Sequence, residues 1–455
     1  MNDAFARAAR IARHAATYSA LLALGAAAAG AEWLRPDPSL RDALDALKYA
    51  TRDTVGHGAE PARLDTLAIA LLRVGRTDDA AKLFRRVLES TPGDDGAEAG
   101  LGKLALFAGR LDEADAMLSA ADTTDEDVQR DRFWLRLRRE DYAGAAQLAE
   151  AAGFPGRTES LNAFAAEDGL WRIADGAPEG TQLFSRVFPA PLVKVKLNGQ
   201  SVLMSLDTGA SGLIVDEGWA KRTGVRAIAG EWPSVWNGAS VVLRGALVQR
   251  FEMAGVRVEN VPAARADLSR WSLEANPQGE KIAGVIGLAV LRRLGATLDY
   301  QRNRLVLRRT PAPPATGATR VPFEVWGENE LMVRGSVAGG RRMWFLLETG
   351  LLGCGFAAPS EVLDEVGVKP GGVSKMVKSV GTVIAGRPWT PVTVPTVSIG
   401  AVVRDRVPGW SGAMDSGELW RHGVRRDGIV AGEFFRGRTL DFDWTKRELV
   451  IGAKP

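Results

Sequence analysis

Residues 202–215 read VLMSLDTGASGLIV, and this stretch decides the fold of the C-terminal part of the chain. An apolar run leads into Asp207, Thr208 and Gly209, and a second apolar run follows directly. From about Val187 onward the residues alternate with period two, Val and Leu become frequent, and Gly punctuates the pattern, which predicts a β-rich region. The stretch therefore puts a carboxylate at the end of a buried strand.

The same plan returns 141 residues later, where residues 343–356 read MWFLLETGLLGCGF. A turn and an apolar strand again lead into a carboxylate, here Glu348, followed by Thr349 and Gly350. Further matches follow in the same order: a segment that begins with Gly and ends in Val-Pro returns, an apolar-Gly element returns, and two late strands are nearly identical (255–262 and 400–408, 284–287 and 428–432, 297–307 and 439–451). Such an ordered set of matches predicts two copies of one lobe.

A helical repeat precedes the lobes. Gly75-Arg76 recurs as Gly109-Arg110, a shift of 34 residues, and each pair is followed by acidic residues and by apolar residues at helical spacing. This period resembles tetratricopeptide repeats over roughly residues 36–153. Such repeats commonly bind a protein partner on a concave face, and the alternative is a packed cap or spacer.

The predicted fold is therefore multidomain, with all-α tetratricopeptide-like repeats followed by an all-β bilobal region. A proline-rich segment separates the two lobes and is typical of a stiff linker. The predicted boundaries are 1–31 for a signal peptide or membrane-proximal helix, 32–155 for the repeats, 156–186 for a connector, 187–310 for lobe one, 311–320 for the linker and 321–455 for lobe two.

The N-terminus has the pattern of a secretory signal. Arg7, Arg10 and Arg13 precede an uncharged stretch, 15–31, which ends in small residues before Glu32. The pattern predicts a periplasmic or secreted protein. A cytoplasmic or membrane-anchored location, with this stretch as an ordinary Ala-rich helix, is the alternative.

Composition excludes several classes of protein. The chain is 46% hydrophobic and 25% charged, which is typical of globular domains and not of disordered or polytopic membrane proteins. A net charge of +3 over 455 residues is too small to predict nucleic-acid binding. One cysteine and three scattered histidines argue against a Cys-based zinc or iron–sulfur site, a His-rich metal centre and most His-dependent nucleophilic catalysis. We therefore expect carboxylate chemistry without a metal or cofactor.

At Asp207-Thr208-Gly209-Ala210-Ser211 and at the later Ile286-Gly287 element, the chain resembles the pepsin–retropepsin family of aspartic peptidases. The resemblance covers about residues 187–455 and implies two β-lobes with a peptide or protein substrate in the cleft between them. It also implies that the two Thr hydroxyl groups bond across to the opposite lobe. Retention of both Thr residues favours a monomer whose lobes pair within one chain, and a homodimer that pairs two copies of Asp207 is the alternative.

The resemblance implies catalysis by Asp207 and Glu348, with support from Thr208, Gly209, Thr349 and Gly350. Two carboxyl groups that share one proton can activate water and protonate a carbonyl oxygen together. The small glycine after each threonine lets backbone N–H groups approach a carboxylate. These requirements predict an aspartic endopeptidase, with the repeats recruiting a partner or substrate.

Lobe two departs from the family pattern in its carboxylate. Glu348 stands where the family has Asp, and Leu351-Leu352 follow where small residues are expected. One extra methylene moves a carboxylate by roughly 1 Å, a displacement that can lower a rate by ~100-fold. Two other functions therefore stay open: a catalytically disabled peptide-binding scaffold, and a non-peptidase acid–base enzyme of a biosynthetic pathway.

A substrate-covering flap is predicted in lobe one around Trp236, Asn237 and Gly238, because Asn-Gly favours a tight β-turn. Trp236 would then cover a substrate side chain. The alternative is a surface turn with a packed Trp.

Overall fold

The computed structural model describes residues 40–57, 60–175, 179–236, 239–276, 279–310, 316–369, 389–414 and 419–454. The predicted signal stretch, 1–31, lies outside these ranges. The N-terminal part is helical, with α1 Leu40–His57, α2 Pro61–Arg73, α3 Thr77–Ser90, α4 Asp95–Phe107, α5 Leu111–Ala120, α6 Glu126–Arg138, α7 Tyr142–Leu148 and α8 Thr158–Ala165. No helix within the described ranges is both long and apolar enough to cross a membrane.

The 34-residue repeat has a local structural cause. Gly75 and Gly109 have φ angles of +80° and +71°, and both follow the last turn of a helix. At each glycine, two backbone N–H groups return to carbonyl groups of the last helical turn. This left-handed cap ends α2 and α4 in the same way and reverses the chain into α3 and α5. The recurring Gly-Arg pair thus marks a recurring helix–turn–helix unit.

The predicted connector, 156–186, contains regular structure of its own. It holds most of a short 3-10 helix at Pro155–Arg157, all of α8, and the strands β1 Arg172–Asp175 and β2 Glu179–Leu183. β1 pairs with a strand of lobe one, and β2 pairs with the strand at 304–308. β2 reads EGTQL and alternates between exposed and half-buried residues, so it has no apolar run that would reveal a strand.

Up to its two end strands, lobe one contains strands between residues 192 and 286 and three short helices. Its elements are β3 Leu192–Leu197, β4 Gln200–Leu206, β5 Leu213–Asp216, α9 Glu217–Arg222, β6 Arg226–Trp236, β7 Ala239–Met253, β8 Val256–Ala266, α10 Ser269–Ala275, β9 Ile282–Ile286 and α11 Leu288–Arg293. The strand order is β1-β8-β5-β9-β4-β3-β7-β6. β4 runs parallel to β9, and β5 runs parallel to β8.

Lobe one ends with the strands β10 Ala296–Asp299 and β11 Arg304–Arg308. Lobe two then contains β12 Thr319–Trp326, β13 Glu330–Val337, β14 Met343–Glu348, β15 Phe356–Ala358, α12 Ser360–Glu365, β16 Thr390–Ile399, β17 Val402–Ser411, β18 Gly428–Ala431, β19 Thr439–Asp443 and β20 Glu448–Ile451. β14 runs parallel to β18 and β15 runs parallel to β17, which repeats the pairing of β4 with β9 and of β5 with β8.

The lobes share one hydrogen-bonded sheet. β10 of lobe one pairs antiparallel with β19 of lobe two, with Leu298 opposite Leu440. The Thr297 hydroxyl donates to Asp441 Oδ1 at 2.8 Å across this boundary. The two near-identical Thr-Leu-Asp segments noted in the sequence therefore meet each other.

The helical repeats pack on the outer face of lobe two. Phe107 at the end of α4 stacks on Trp326 with ring centroids 4.9 Å apart. The Trp344 indole N–H donates to the carbonyl of Gly75 at 3.2 Å, and both tryptophans are buried. Apolar residues of α2, α3 and α4 and apolar residues of lobe two form one continuous core. The repeats are therefore an integral part of the β-region and not a separate module.

Candidate active site

The two sequence-predicted carboxylates lie at the ends of equivalent strands. Asp207 follows β4, and its backbone N–H donates to the carbonyl of Ile286 at 3.0 Å. Glu348 is the last residue of β14 and lies opposite Ala431 of β18. In each lobe, the strand that carries the carboxylate thus runs beside the strand of the later apolar-Gly element.

Thr208 and Thr349 join the two lobes beneath these carboxylates. The Thr208 hydroxyl donates to the carbonyl of Leu347 at 2.6 Å, and the Thr349 hydroxyl donates to the carbonyl of Leu206 at 3.1 Å. Each hydroxyl oxygen also accepts the backbone N–H of the other threonine at 3.1 Å. This symmetric exchange of four hydrogen bonds made by Thr208 and Thr349 lies within one chain. It fixes the turn after Asp207 against the turn after Glu348.

Asp207 is 3% exposed and rests on the turn of the opposite lobe. Its Oδ1 accepts the N–H of Gly209 at 2.8 Å and the N–H of Gly350 at 3.2 Å. A Cβ atom on Gly350 would lie only 2.2 Å from Asp207 Cγ, so a side chain at that position would displace the carboxylate. Glycine is thus required here by close approach.

Glu348 approaches the opposite turn in the same manner. A Cβ atom on Gly209 would lie 2.5 Å from Glu348 Cγ, 2.9 Å from Glu348 Cδ and 3.2 Å from Asp207 Oδ1. The two carboxyl groups therefore converge on one point beside Gly209. The Cγ of Glu348 occupies the position that corresponds to the carboxyl carbon of Asp207, and the Glu348 carboxylate extends one carbon beyond it.

Burial raises the pKa of Asp207 from 3.8 to about 6, while the N–H groups of Gly209, Gly350 and Ala210 act in the opposite direction. Desolvation disfavours the charged carboxylate more than these hydrogen bonds favour it. Asp207 thus retains a proton under mildly acidic conditions, as a general acid requires.

Cys354, which follows Glu348 closely in sequence, is buried and free. Burial raises the pKa of its thiol well above the ordinary range, and the negative charges of Glu348 and Glu433 act in the same direction. The thiol therefore stays protonated and unreactive. Cys354 is therefore a buried core residue of lobe two.

The carboxylates open into a cavity of about 930 Å³ with three walls. Lobe one contributes Asp207, Ser211 and Trp232, and lobe two contributes Glu348, Leu351 and Trp389. The third wall comes from the helical repeats, with Trp134, Arg138, Tyr142, Phe154, Arg157 and Phe164. The volume lies within the range of pockets that enclose small ligands or short chain segments.

Two ion pairs hold the helical wall against the lobes. Arg157 donates to Glu328 of lobe two at 2.9 Å, and Glu140 pairs with Arg293 of lobe one. All four residues line the cavity. Sequence reasoning missed this wall, because a helical face that packs on a neighbouring domain has the same apolar pattern as one that packs within the repeat.

The predicted flap lies mainly outside the described residues. Asn237 and Gly238 are not among them, and Trp236 is the last residue of β6. The flap therefore stays a prediction.

Within the described ranges, no group of three or more His, Cys, Asp or Glu side chains is arranged to hold a metal ion.

Leu351 and Leu352, which stand where the family pattern has small residues, pack against two neighbouring domains. Leu352 is fully buried in a core with lobe-one residues such as Leu192 and Leu203. Leu351 is buried in the core shared with the helical repeats and borders the cavity. These residues thus seal the turn of Glu348 against both neighbouring domains.

Comparison with known families agrees with both resemblances drawn from the sequence. Residues 193–290 match the model of an aspartyl protease family, and residues 71–134 match the model of a tetratricopeptide repeat. A search of curated proteins found no match. The chain therefore carries tetratricopeptide-type repeats and an aspartyl protease-like domain, and the matched residues of the latter lie in lobe one. The kinship of lobe two with the same family stays a prediction.

Proposed function

We propose that the protein is an aspartic endopeptidase that hydrolyses peptide bonds with a water molecule activated between Asp207 and Glu348. The supporting observation is the convergence of the two carboxyl groups beside Gly209, above the exchange between Thr208 and Thr349. Glu348 Cδ and Asp207 Oδ1 lie 2.9 Å and 3.2 Å from the same point, the position that a Cβ atom on Gly209 would take. Repulsion between like charges disfavours ionisation of both groups at such a site, so in the proposed mechanism the pair shares one proton.

The pair supplies both proton transfers that hydrolysis needs. The ionised carboxylate takes a proton from water as the water oxygen attacks the peptide carbonyl carbon, and the protonated carboxyl group donates to the carbonyl oxygen. The raised pKa of Asp207 supports this division of roles, because it keeps the shared proton available up to about pH 6. Gly209 and Gly350 hold the Asp207 carboxylate in place through their N–H groups.

The cavity supports a peptide as the substrate class. Its lining combines aromatic and apolar side chains with a few polar groups around the two carboxylates. The repeats would act on the same substrate, because α6, α7 and α8 contribute side chains to the cavity wall. A protein partner on another face of the repeats is compatible with this arrangement.

The proposal is tested by purifying the protein and its Asp207→Asn variant and following cleavage of denatured casein by mass spectrometry. We expect cleavage by the wild type and a loss of at least ~100-fold in the variant, because removal of a general acid–base group has effects of this size. Asp364→Asn is the matched control, since Asp364 is an exposed residue of α12. Unchanged cleavage by Asp207→Asn would refute the proposal.

A further inference from the structure

Arg138 and Arg292 line the cavity without a carboxylate partner. Neither of them forms an ion pair with any residue that the structure describes, whereas the neighbouring cavity arginines do: Arg157 pairs with Glu328, Arg293 with Glu140 and Arg426 with Glu330. A charged side chain that is partly buried, as Arg138 is, normally has a counter-charge. The unpaired Arg138, which lines the same cavity as Arg292, therefore needs a separate explanation.

Arg138, the last residue of α6, is anchored on one side only. Its Nη1 donates to the carbonyl of Leu106 at 2.6 Å and to the carbonyl of Val325 at 2.9 Å. Its buried Nε has no hydrogen-bond partner among the described residues. A guanidinium group offers five N–H donors. The anchored group therefore keeps donors for an acceptor that enters the cavity.

Arg292 lies on the helix that follows the apolar-Gly element of lobe one. That helix, α11, is tied to the carboxylate turn, because the Leu288 N–H donates to the carbonyl of Ala210 at 2.8 Å. Arg292 is exposed as a residue, and its Cζ atom lies 5.3 Å from the ring centre of Trp444. It is thus held on the wall that continues from the turn of Asp207.

The two arginines are close enough to act on one another. Burial, followed by the positive charges of Arg447 and Arg292, lowers the pKa of Arg138 to about 9. Arg138 remains protonated at neutral pH, so two like charges face the same cavity. An anion bound near both side chains would offset this repulsion.

We infer that Arg138 and Arg292 form an anion-binding subsite that receives a carboxylate of the peptide substrate. The inference rests on the proposed function, because it names the substrate class of the same cavity. Arginine is suited to this role, since its planar donor fork matches the two oxygens of a carboxylate. The carboxylate comes either from an acidic side chain near the cleaved bond or from the C-terminus of the peptide.

The first test measures cleavage of a mixed-sequence peptide library with free or amidated C-termini. We expect acidic residues at one fixed distance from the cleaved bond, or cleavage at a fixed distance from a free C-terminus that amidation abolishes. A matched peptide pair, Glu against Gln or acid against amide, then gives a kcat/KM ratio of at least ~10 for the acid. The ratio falls toward unity in Arg292→Gln and stays unchanged in Lys446→Gln, an exposed cation of lobe two.

A second test does not depend on turnover. Binding of the same labelled peptide pair to Asp207→Asn, with and without Arg292→Gln, is followed by fluorescence anisotropy. Tighter binding of the acid that disappears with Arg292→Gln or with Arg138→Gln supports the subsite even if no peptide is cleaved. Equal affinity for acid and amide, or a preference that both arginine variants retain, overturns the inference. Cleavage without an acidic preference overturns it while leaving the proposed function intact.

Discussion

Asp207 combines near-complete burial with two backbone N–H donors from different lobes, Gly209 and Gly350. Burial dominates, so the pKa of Asp207 is about 6. Under the proposed function, the carboxyl pair loses above this pH the proton that it donates to the substrate. We therefore expect kcat/KM to fall as the pH rises through about 6, by ~10-fold for each further pH unit. A pH–rate profile that stays flat from pH 5 to pH 8 would contradict this role for Asp207.

The same raised pKa predicts a change in stability. Because the folded pKa of Asp207 lies above its ordinary value of 3.8, its stabilising contribution is complete below that value and is lost as the pH rises through about 6. Asn does not titrate, so Asp207→Asn should raise the free energy of unfolding at neutral pH, by up to about 3 kcal/mol. Urea unfolding of both proteins at acidic and neutral pH measures the difference. A gain that is equal at both pH values would rule out titration as its cause.

Glu348 is the residue at which the sequence gives the least guidance. From the sequence, an extra methylene predicts a displaced carboxylate. In the structure, Glu348 Cγ lies against Gly209 as Asp207 Cγ lies against Gly350, so the fold receives the longer side chain without a change in the turn. Only the arrangement of both turns reveals this, because neither residue type nor spacing encodes where the extra carbon goes.

Substitutions at Glu348 distinguish a working pair from a disabled one. Glu348→Asp puts the carboxyl carbon where Cγ now lies, which restores a symmetric pair, and we expect activity to be retained or increased. Glu348→Gln removes the second ionisable group and should lower kcat by at least ~100-fold. Single-turnover cleavage rates for the two variants provide the comparison. Equal rates for Glu348→Gln and the wild type would favour a function that does not use this carboxylate.

At the scale of elements, the sequence predicts strands that occur in two similar copies, and it misses elements that are defined only by their pairing or packing with distant segments. The two Thr-Leu-Asp segments, at 297–299 and 439–441, are recognisable as copies, and they form the adjacent strands β10 and β19. β2 has no such copy and alternates between exposed and half-buried positions, so only its pairing with β11 reveals it as a strand. Two similar segments support the prediction of each other, whereas an isolated edge strand can be recognised only from contacts that are distant in sequence.

The contact between α4 and β12 is a second feature that the sequence could not predict. Trp326 is fully buried, and it packs against Phe107 of the helical repeats as well as against Trp344 of its own lobe. Apolar residues on the outer face of a sheet have the same pattern as residues that face its core. The identity of the covering element therefore emerges only in three dimensions.

Trp326→Ala tests whether the repeats and lobe two fold as one unit. We expect it to lower the free energy of unfolding by about 3–5 kcal/mol, because truncation of a buried aromatic residue leaves a cavity. Calorimetry should still record a single transition, since the helical core and the core of lobe two are continuous. Leu273→Ala, at a residue that is 58% exposed, serves as the control with little effect. Two well-separated transitions in the wild type would speak against a single unit.

At the scale of the whole molecule, three units enclose one cavity. Lobe one and lobe two supply the carboxylates, and the repeats supply a wall that is paired to both lobes through Arg157 and Glu140. The sequence identifies each unit separately, from its own repeat or motif. Their joint arrangement around the carboxylates could not be predicted, because the ion pairs and aromatic contacts between them join residues that are far apart along the chain.

The sheet shared by the lobes has a consequence for the proposed catalytic cycle. β10 and β19 are hydrogen-bonded across the lobe boundary, and the exchange between Thr208 and Thr349 lies nearby, so a hinge motion that parts the lobes would break both sets of bonds. Under the proposed function, we therefore expect products to leave by a path that keeps the two lobes joined. If a conformational step on that path limits turnover, kcat will decrease in viscous solvents such as concentrated sucrose, while the rate of bond cleavage within a single bound complex will not.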